Sequence, residues 1–166
     1  MKPLLVIVGN AEPTRNHTPL IDGAAMVIRF NRVPFLHTGM VGSKTTVQVL
    51  QNMDFHNGDA PMVNREQTWI ISENPEKDFG AKVALANNIQ GWTRIYSDLL
   101  GVPAKLKAKG GSSGFIVIEY LLANGYDQWF DIALACFTWQ GWNGHAWEME
   151  KAFCIKYGSE GRLRIL

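Results

Sequence analysis

The 166-residue sequence is poor in cysteine: Cys136 and Cys154 are the only two, too few for a disulfide framework and without metal-ligand spacing. Net charge is nearly absent as well. A formal +1 gives no overall pull toward nucleic acid or an acidic membrane surface, so neither is an expected partner. Long hydrophobic runs are missing too. The opening "MKPLLVIVGN" holds five consecutive aliphatics before Gly9, too few for a signal segment or a membrane span. That run reads as a first core strand, which points to an intracellular, cytoplasmic protein, bacterial in style. No G-x-G-x-x-G follows it, and no G-x-x-x-x-G-K precedes a Ser or Thr, so the usual dinucleotide and P-loop signatures are lacking. An ordinary Rossmann oxidoreductase is therefore the weakest reading.

What is present suits one globular domain over residues 1–166: 46% hydrophobic and 19% charged residues exclude disorder. Continuous aliphatic runs over Leu4–Val8, Ala24–Phe30 and Gln67–Ile71 read as strands buried on both faces. Thr46–Leu50 reads as a further short strand. The pattern predicts helices over 76–88, 92–101, 115–125 and 145–158, a late core strand over 129–137 and a terminal strand within "RLRIL". Strands alternating with helices indicate an α/β fold, Rossmann-like, with a mostly parallel sheet.

In such a sheet, ligands lie beyond the carboxyl ends of the strands. Three polar loops fall at positions of that kind: Gly9-Asn10, Asn31 with the residues after it, and Gly110 to Gly114 with Ser112 and Ser113. Glycines permit close backbone approach, and the free N–H groups of a helix start favour an anion. Each loop also has a plain structural reading: Gly9-Asn10 as a turn, Ser113 as a helix cap. His17, His37 and His56 read as loop residues, and Lys105, Lys107 and Lys109 as a solvated loop. Trp139, Trp142 and Trp147 read as core or lid packing, or as faces that stack on sugar C–H surfaces.

Taken together, "VIVGN", "LIDGAAMVIRFNRVP" and "VGSKTT" resemble the large sialylmotif of the sialyltransferase-type glycosyltransferases. Gly9, Asn10, Asp22, Arg29, Asn31, Pro34, Gly42, Ser43, Lys44, Thr45 and Thr46 fall on it in order. "GGSSGFIVIEYLLANGYDQWFDIALACF" resembles the small motif: Ser112, Ser113 and Gly114 keep the pattern, and Gly111 replaces its proline. His145 and Glu150, with four residues between them, match the very small motif.

The resemblance implies a compact, bacterial-like member with a GT-A-like variant of the fold. It would transfer a sialic-acid-like sugar from a CMP-sugar to a hydroxyl of a glycan or lipid-linked glycan, with inversion and with neither metal nor cofactor. Gly9, Asn10, Asn31, Ser112, Ser113 and Gly114 would bind the nucleotide. Asp22, Arg29, Gly42, Ser43, Thr45 and Glu150 would be structural, with Arg29 bracing its strand end and Gly42–Thr46 forming a polar floor beside the donor. His145 would be the general base, a task that suits an imidazole because its titration lies near neutrality. If residues from 145 on are helical, Glu148 at i+3 orients the ring while Glu150 points away.

Two departures stand out. "FTWQGWNG" lacks the histidine that the family carries before the very small motif, leaving Trp139, Gln140 or Trp142 in its place. The family's two linked cysteines are also missing, which fits a reducing compartment. The alternative reading is a non-catalytic nucleotide- or nucleotide-sugar-binding module on the same fold.

Overall fold

A computed structural model describes residues 1–51, 58, 63–72, 79–96 and 111–166. His56, Lys105, Lys107, Lys109 and Gly110 lie outside the described residues. The elements run β1 (Leu4–Val8), α1 (Thr18–Asp22), β2 (Met26–Phe30), β3 (Val47–Leu50), β4 (Gln67–Ser72), α2 (Phe79–Ala86) and β5 (Thr93–Tyr96). They continue with α3 (Ser113–Ala123), α4 (Tyr126–Trp129), β6 (Asp131–Ala135), α5 (Trp147–Ser159) and β7 (Arg164–Ile165).

The strands form a seven-stranded sheet in the order β5-β4-β3-β2-β1-β6-β7, and each of the described pairings is parallel. This is the Rossmann-like α/β arrangement, with β1 in the interior as its apolar run requires. The alternation of a strand divides the core. Leu5, Ile7, Ile28 and Phe30 face α3 and the buried Cys154 of α5. Val6, Val8 and Val27 face Ile21 of α1 and Val41. Helix α3 buries Phe115, Ile116, Val117, Ile118, Leu121 and Leu122, so it is apolar nearly all round, as a helix inside a layered core must be.

The segment read as a helix over 92–101 begins instead with strand β5. Thr93 and Ile95 are β-branched, and the strand pairs in parallel with β4, Trp69 opposite Thr93 and Ile71 opposite Ile95. Likewise the run over 129–137 divides, since residues 126–129 are helical and the strand occupies only Asp131–Ala135. His17 is buried just before α1, and His37 lies exposed in a short 3-10 turn.

Arg29 explains the polar end of the second core run. It is 1% exposed and points to the α1 face of the sheet, where its Nη2 donates to the carbonyl oxygens of Val41 (2.6 Å) and Gly42 (3.2 Å). Its Nε donates to the Lys44 carbonyl at 3.0 Å. Burial lowers its pKa to about 10, partly offset by the charge of Asp22. Asp22 holds the same loop from outside, its Oδ1 accepting from Ser43 N (2.8 Å) and Lys44 N (2.9 Å).

Thr46 completes the anchorage by exchanging bonds with Val27, and Thr45 is buried beside it. Residues 42–46 thus lead into the start of β3 and lie at the amino edge of a parallel sheet. They are not a floor for a ligand at the carboxyl edge. The motif residues Asp22, Arg29, Gly42 and Ser43 are joined in one brace. Arg29→Ala strands its carbonyl acceptors in the core and is expected to cost on the order of 3 kcal/mol. Arg29→Lys, without the planar fork, recovers only part of that loss, as urea denaturation will measure.

Candidate active site

Strand order reverses between β1 and β6, so the loops leaving their carboxyl ends diverge and open a crevice. A cavity of about 400 Å³ fills it. Gly9, Asn10 and Ala11 enter from β1, Phe30 and Asn31 from β2, and Ser112, Ser113 and Gly114 from the start of α3. Cys136 to Trp142 follow β6, and His145 and Trp147 close the side. The structure therefore brings together Gly9, Asn10, Asn31, Ser112, Ser113, Gly114 and His145 from four separate stretches of chain.

Two glycines permit this closeness. A Cβ on Gly9 would collide with the Cys136 carbonyl oxygen, and one on Gly114 would meet the Phe137 ring at 2.8 Å. Asn31, Cys136 and Trp139 adopt left-handed φ of 49°, 59° and 55°, a concentration of backbone strain around one cavity.

The polar wall is tightly organised. Asn10 Nδ2 donates to the Phe30 carbonyl at 3.2 Å, tying the β1 loop to the end of β2. Asn31 Oδ1 accepts from Gln51 N at 2.8 Å, and Ser113 Oγ donates to Gln51 Oε1 at 2.6 Å. Ser112 is the N-cap of α3, accepting from Phe115 N at 3.2 Å. Behind it lies Glu150, fully buried, with Oε1 accepting from Ser112 N (2.8 Å) and Oε2 from the Ser112 hydroxyl (2.7 Å). Burial pushes the Glu150 carboxyl above its usual range, against the opposing pull of the Ser112 bonds and of nearby His145.

His145 is half-buried, with its ring edge-on to Trp142 and Trp147 at centroid distances of 5.0 and 4.9 Å. Trp147 Nε1 donates to the Trp142 carbonyl at 3.1 Å, closing this loop. Beyond His145 a second cavity of about 530 Å³ shares Trp139, Gln140, Gly141, His145 and Trp147 with the first and adds Asn143 and Met149. His145 stands on the boundary between the two.

The helix begins at Trp147, with Ala146 as its N-cap, so His145 precedes it and the i+3 argument for Glu148 does not apply. Glu148 is exposed on the helix and lines only the second cavity, whereas Glu150 turns inward toward Ser112. Sequence reasoning missed Gln51, Phe137 and Thr138. Gln51 carried one signal: it is the polar residue immediately following strand β3.

No protein-family model matches the sequence, and no curated protein does. Solved structures do. The crystal structure of a mammalian sialyltransferase aligns over 99% of this chain and 69% of its own, with a TM-score of 0.68 at 16% identity. A second, a mammalian sialyltransferase in complex with Gal-beta-1-3GalNAc-ortho-nitrophenol, aligns over the same shares with a TM-score of 0.61 at 15% identity. The fold is sialyltransferase-like.

The Glu150–Ser112 clamp has a pH signature. An acid whose pKa is raised on folding keeps its proton more tightly in the folded state. Its stabilising contribution is complete below the unfolded value and fades as pH rises through the folded one. Wild-type stability should therefore decline relative to Glu150→Gln as pH rises above 4.5, measured by denaturant unfolding at a series of pH values. Glu150→Ala, which leaves the Ser112 N–H without its acceptor, should cost about 2 kcal/mol at low pH, where the Glu150 contribution is complete, and less as pH rises.

Proposed function

We propose that the protein is an inverting, metal-independent glycosyltransferase that moves a sialic-acid-like sugar from a CMP-sugar to a hydroxyl of a glycan or lipid-linked glycan, within one domain. The observation that carries this reading is the position of His145 between two adjoining cavities, one at the topological switch point and one beyond the tryptophans. The first suits a nucleotide donor, with Gly9, Asn10, Asn31, Ser112, Ser113 and Gly114 around it. The second suits an acceptor, since indole faces and the Asn143 and Gln140 amides match the mixed surface of a sugar ring.

In the reaction, His145 takes the proton of the acceptor hydroxyl. The oxygen attacks the anomeric carbon from the face opposite CMP, the bond to phosphate breaks, and CMP departs with the electron pair. Metal independence is supported by the donor set: among the described residues lining the first cavity there is no carboxylate. Backbone N–H groups and amides then have to meet the departing phosphate. Glu150 enters as a positioning residue for Ser112 and not as a partner in proton transfer. A cytoplasmic site of action belongs to the same proposal; among the described residues no helix is long and apolar enough to cross a membrane.

One observation favours a second reading, a binding module without turnover. Residues 137–144 contain no histidine, so the cavity offers no second imidazole to the donor phosphate. Transfer and hydrolysis assays with CMP-sialate and CMP-Kdo decide between the two. The enzyme reading expects turnover that falls at least about 100-fold in His145→Ala, while CMP affinity stays within about threefold. CMP binding by calorimetry with no turnover of either donor establishes the module instead. Absence of CMP binding overturns both.

A further inference from the structure

Gln51 follows β3 directly and does not itself line the first cavity, yet it holds two residues that do. Its backbone N–H donates to Asn31 Oδ1, and its side-chain Oε1 accepts the Ser113 hydroxyl proton, a bond spanning 62 positions of sequence. Asn31 is clamped further by Gln48 Nε2, which donates to the Asn31 carbonyl at 3.0 Å, and by its own N–H, which donates to Val49 O at 2.8 Å. These bonds fix more than position. With its proton committed to Gln51, the Ser113 hydroxyl offers a ligand only lone pairs. With Oδ1 committed to Gln51 N, Asn31 offers its amide N–H donors.

We propose that Gln51 is a positioning residue that sets the hydrogen-bond polarity of this wall, making it read a ligand group that donates beside one that accepts. The proposal rests on the nucleotide occupying this cavity. A phosphate, which only accepts, is disfavoured at Ser113 because lone pairs would face lone pairs without a proton between them. Two parts of a cytidine nucleotide carry the required pattern: the vicinal hydroxyls of the ribose, and the amino group beside the ring nitrogen on the cytosine edge. Uracil reverses that edge, and a fluorine in place of a ribose hydroxyl cannot donate.

The test is calorimetric titration with CMP, UMP, 2′-deoxy-2′-fluoro-CMP and 3′-deoxy-3′-fluoro-CMP. It uses wild type, Gln51→Leu, Gln51→Glu and Ser113→Ala. Wild type should bind CMP about tenfold more tightly than UMP or than one of the fluoro analogues, and the analogue that loses affinity identifies base or ribose. In Gln51→Leu the Ser113 proton is released and the gap should shrink to about twofold, as it should in Ser113→Ala. Gln51→Glu still accepts that proton and should retain the gap even if overall affinity falls. A ratio of affinities is unmoved by a general loss of stability. No gap for any analogue, a gap unchanged in Gln51→Leu, or a gap lost in Gln51→Glu overturns the proposal while CMP binding, and with it the proposed function, stands. Failure of wild type to bind CMP overturns both.

Discussion

Parallel pairing of β1 with β2 on one side and β6 on the other is the constraint from which the site follows. From β1 the chain builds outward through β2, β3, β4 and β5, then returns to add β6 and β7 on the opposite flank. The segments leaving the carboxyl ends of β1 and β6 must therefore part, and the gap between them cannot be filled by either crossover. Only small residues let the walls of that gap close to ligand size. Gly9 against the Cys136 carbonyl and Gly114 against Phe137 are the contacts that bring them together. The left-handed conformations of Cys136 and Trp139 are held by this packing, since nothing in their own chemistry favours them, whereas Asn31 is a residue type that adopts this region readily.

Two buried ionisable groups stabilise opposite edges of the sheet by the same physics with reversed sign. Arg29 is a cation surrounded by carbonyl oxygens, and it holds the segment that feeds the start of β3. Glu150 is a carboxyl group met by a backbone N–H and a hydroxyl, and it holds the first turn of α3 at the cavity. Neither relies on a direct side-chain ion pair. Each is satisfied mainly by polar groups that the chain must in any case place somewhere, which lessens the desolvation penalty of burying a charge. The consequence differs with location: Arg29 acts on the frame, whereas Glu150 acts on a residue that touches the cavity.

Much of this was legible in the sequence because doubly buried strands announce themselves. Leu4–Val8 is a continuous apolar run, Met26–Phe30 and Gln67–Ser72 are apolar at their centres, and the polar residues after the first two, Asn10 and Asn31, do reach one cavity. Thr93–Tyr96 was not legible as a strand, because its alternation covers four residues only and its neighbour β4 decides the outcome. Glu148 and Glu150 were exchanged for a similar reason. Which of them faces inward depends on where the helix starts, and that start is set by the Trp142–Trp147 loop closure and not by local propensity. The placement of residues 42–46 failed differently: their composition suits a phosphate loop, but direction along a parallel sheet puts them at the amino edge.

The division of labour around the cavity has a physical consequence for the proposed chemistry. The groups that would hold a nucleotide project from strand ends and a capped helix, with Asn31 and Ser113 both pinned through Gln51 to β3. His145 instead sits in the Trp142–Trp147 loop, its ring bounded by two indole edges. Under the proposed reading, donor recognition falls to the strand ends and the helix cap, while proton transfer falls to a loop whose geometry depends on aromatic packing. Such a partition lets binding and turnover vary independently in sequence: a change in the tryptophan loop can silence the base and leave the nucleotide cavity intact. At the carboxyl edge of its sheet this chain places a small set of glycines, amides and hydroxyls around one cavity.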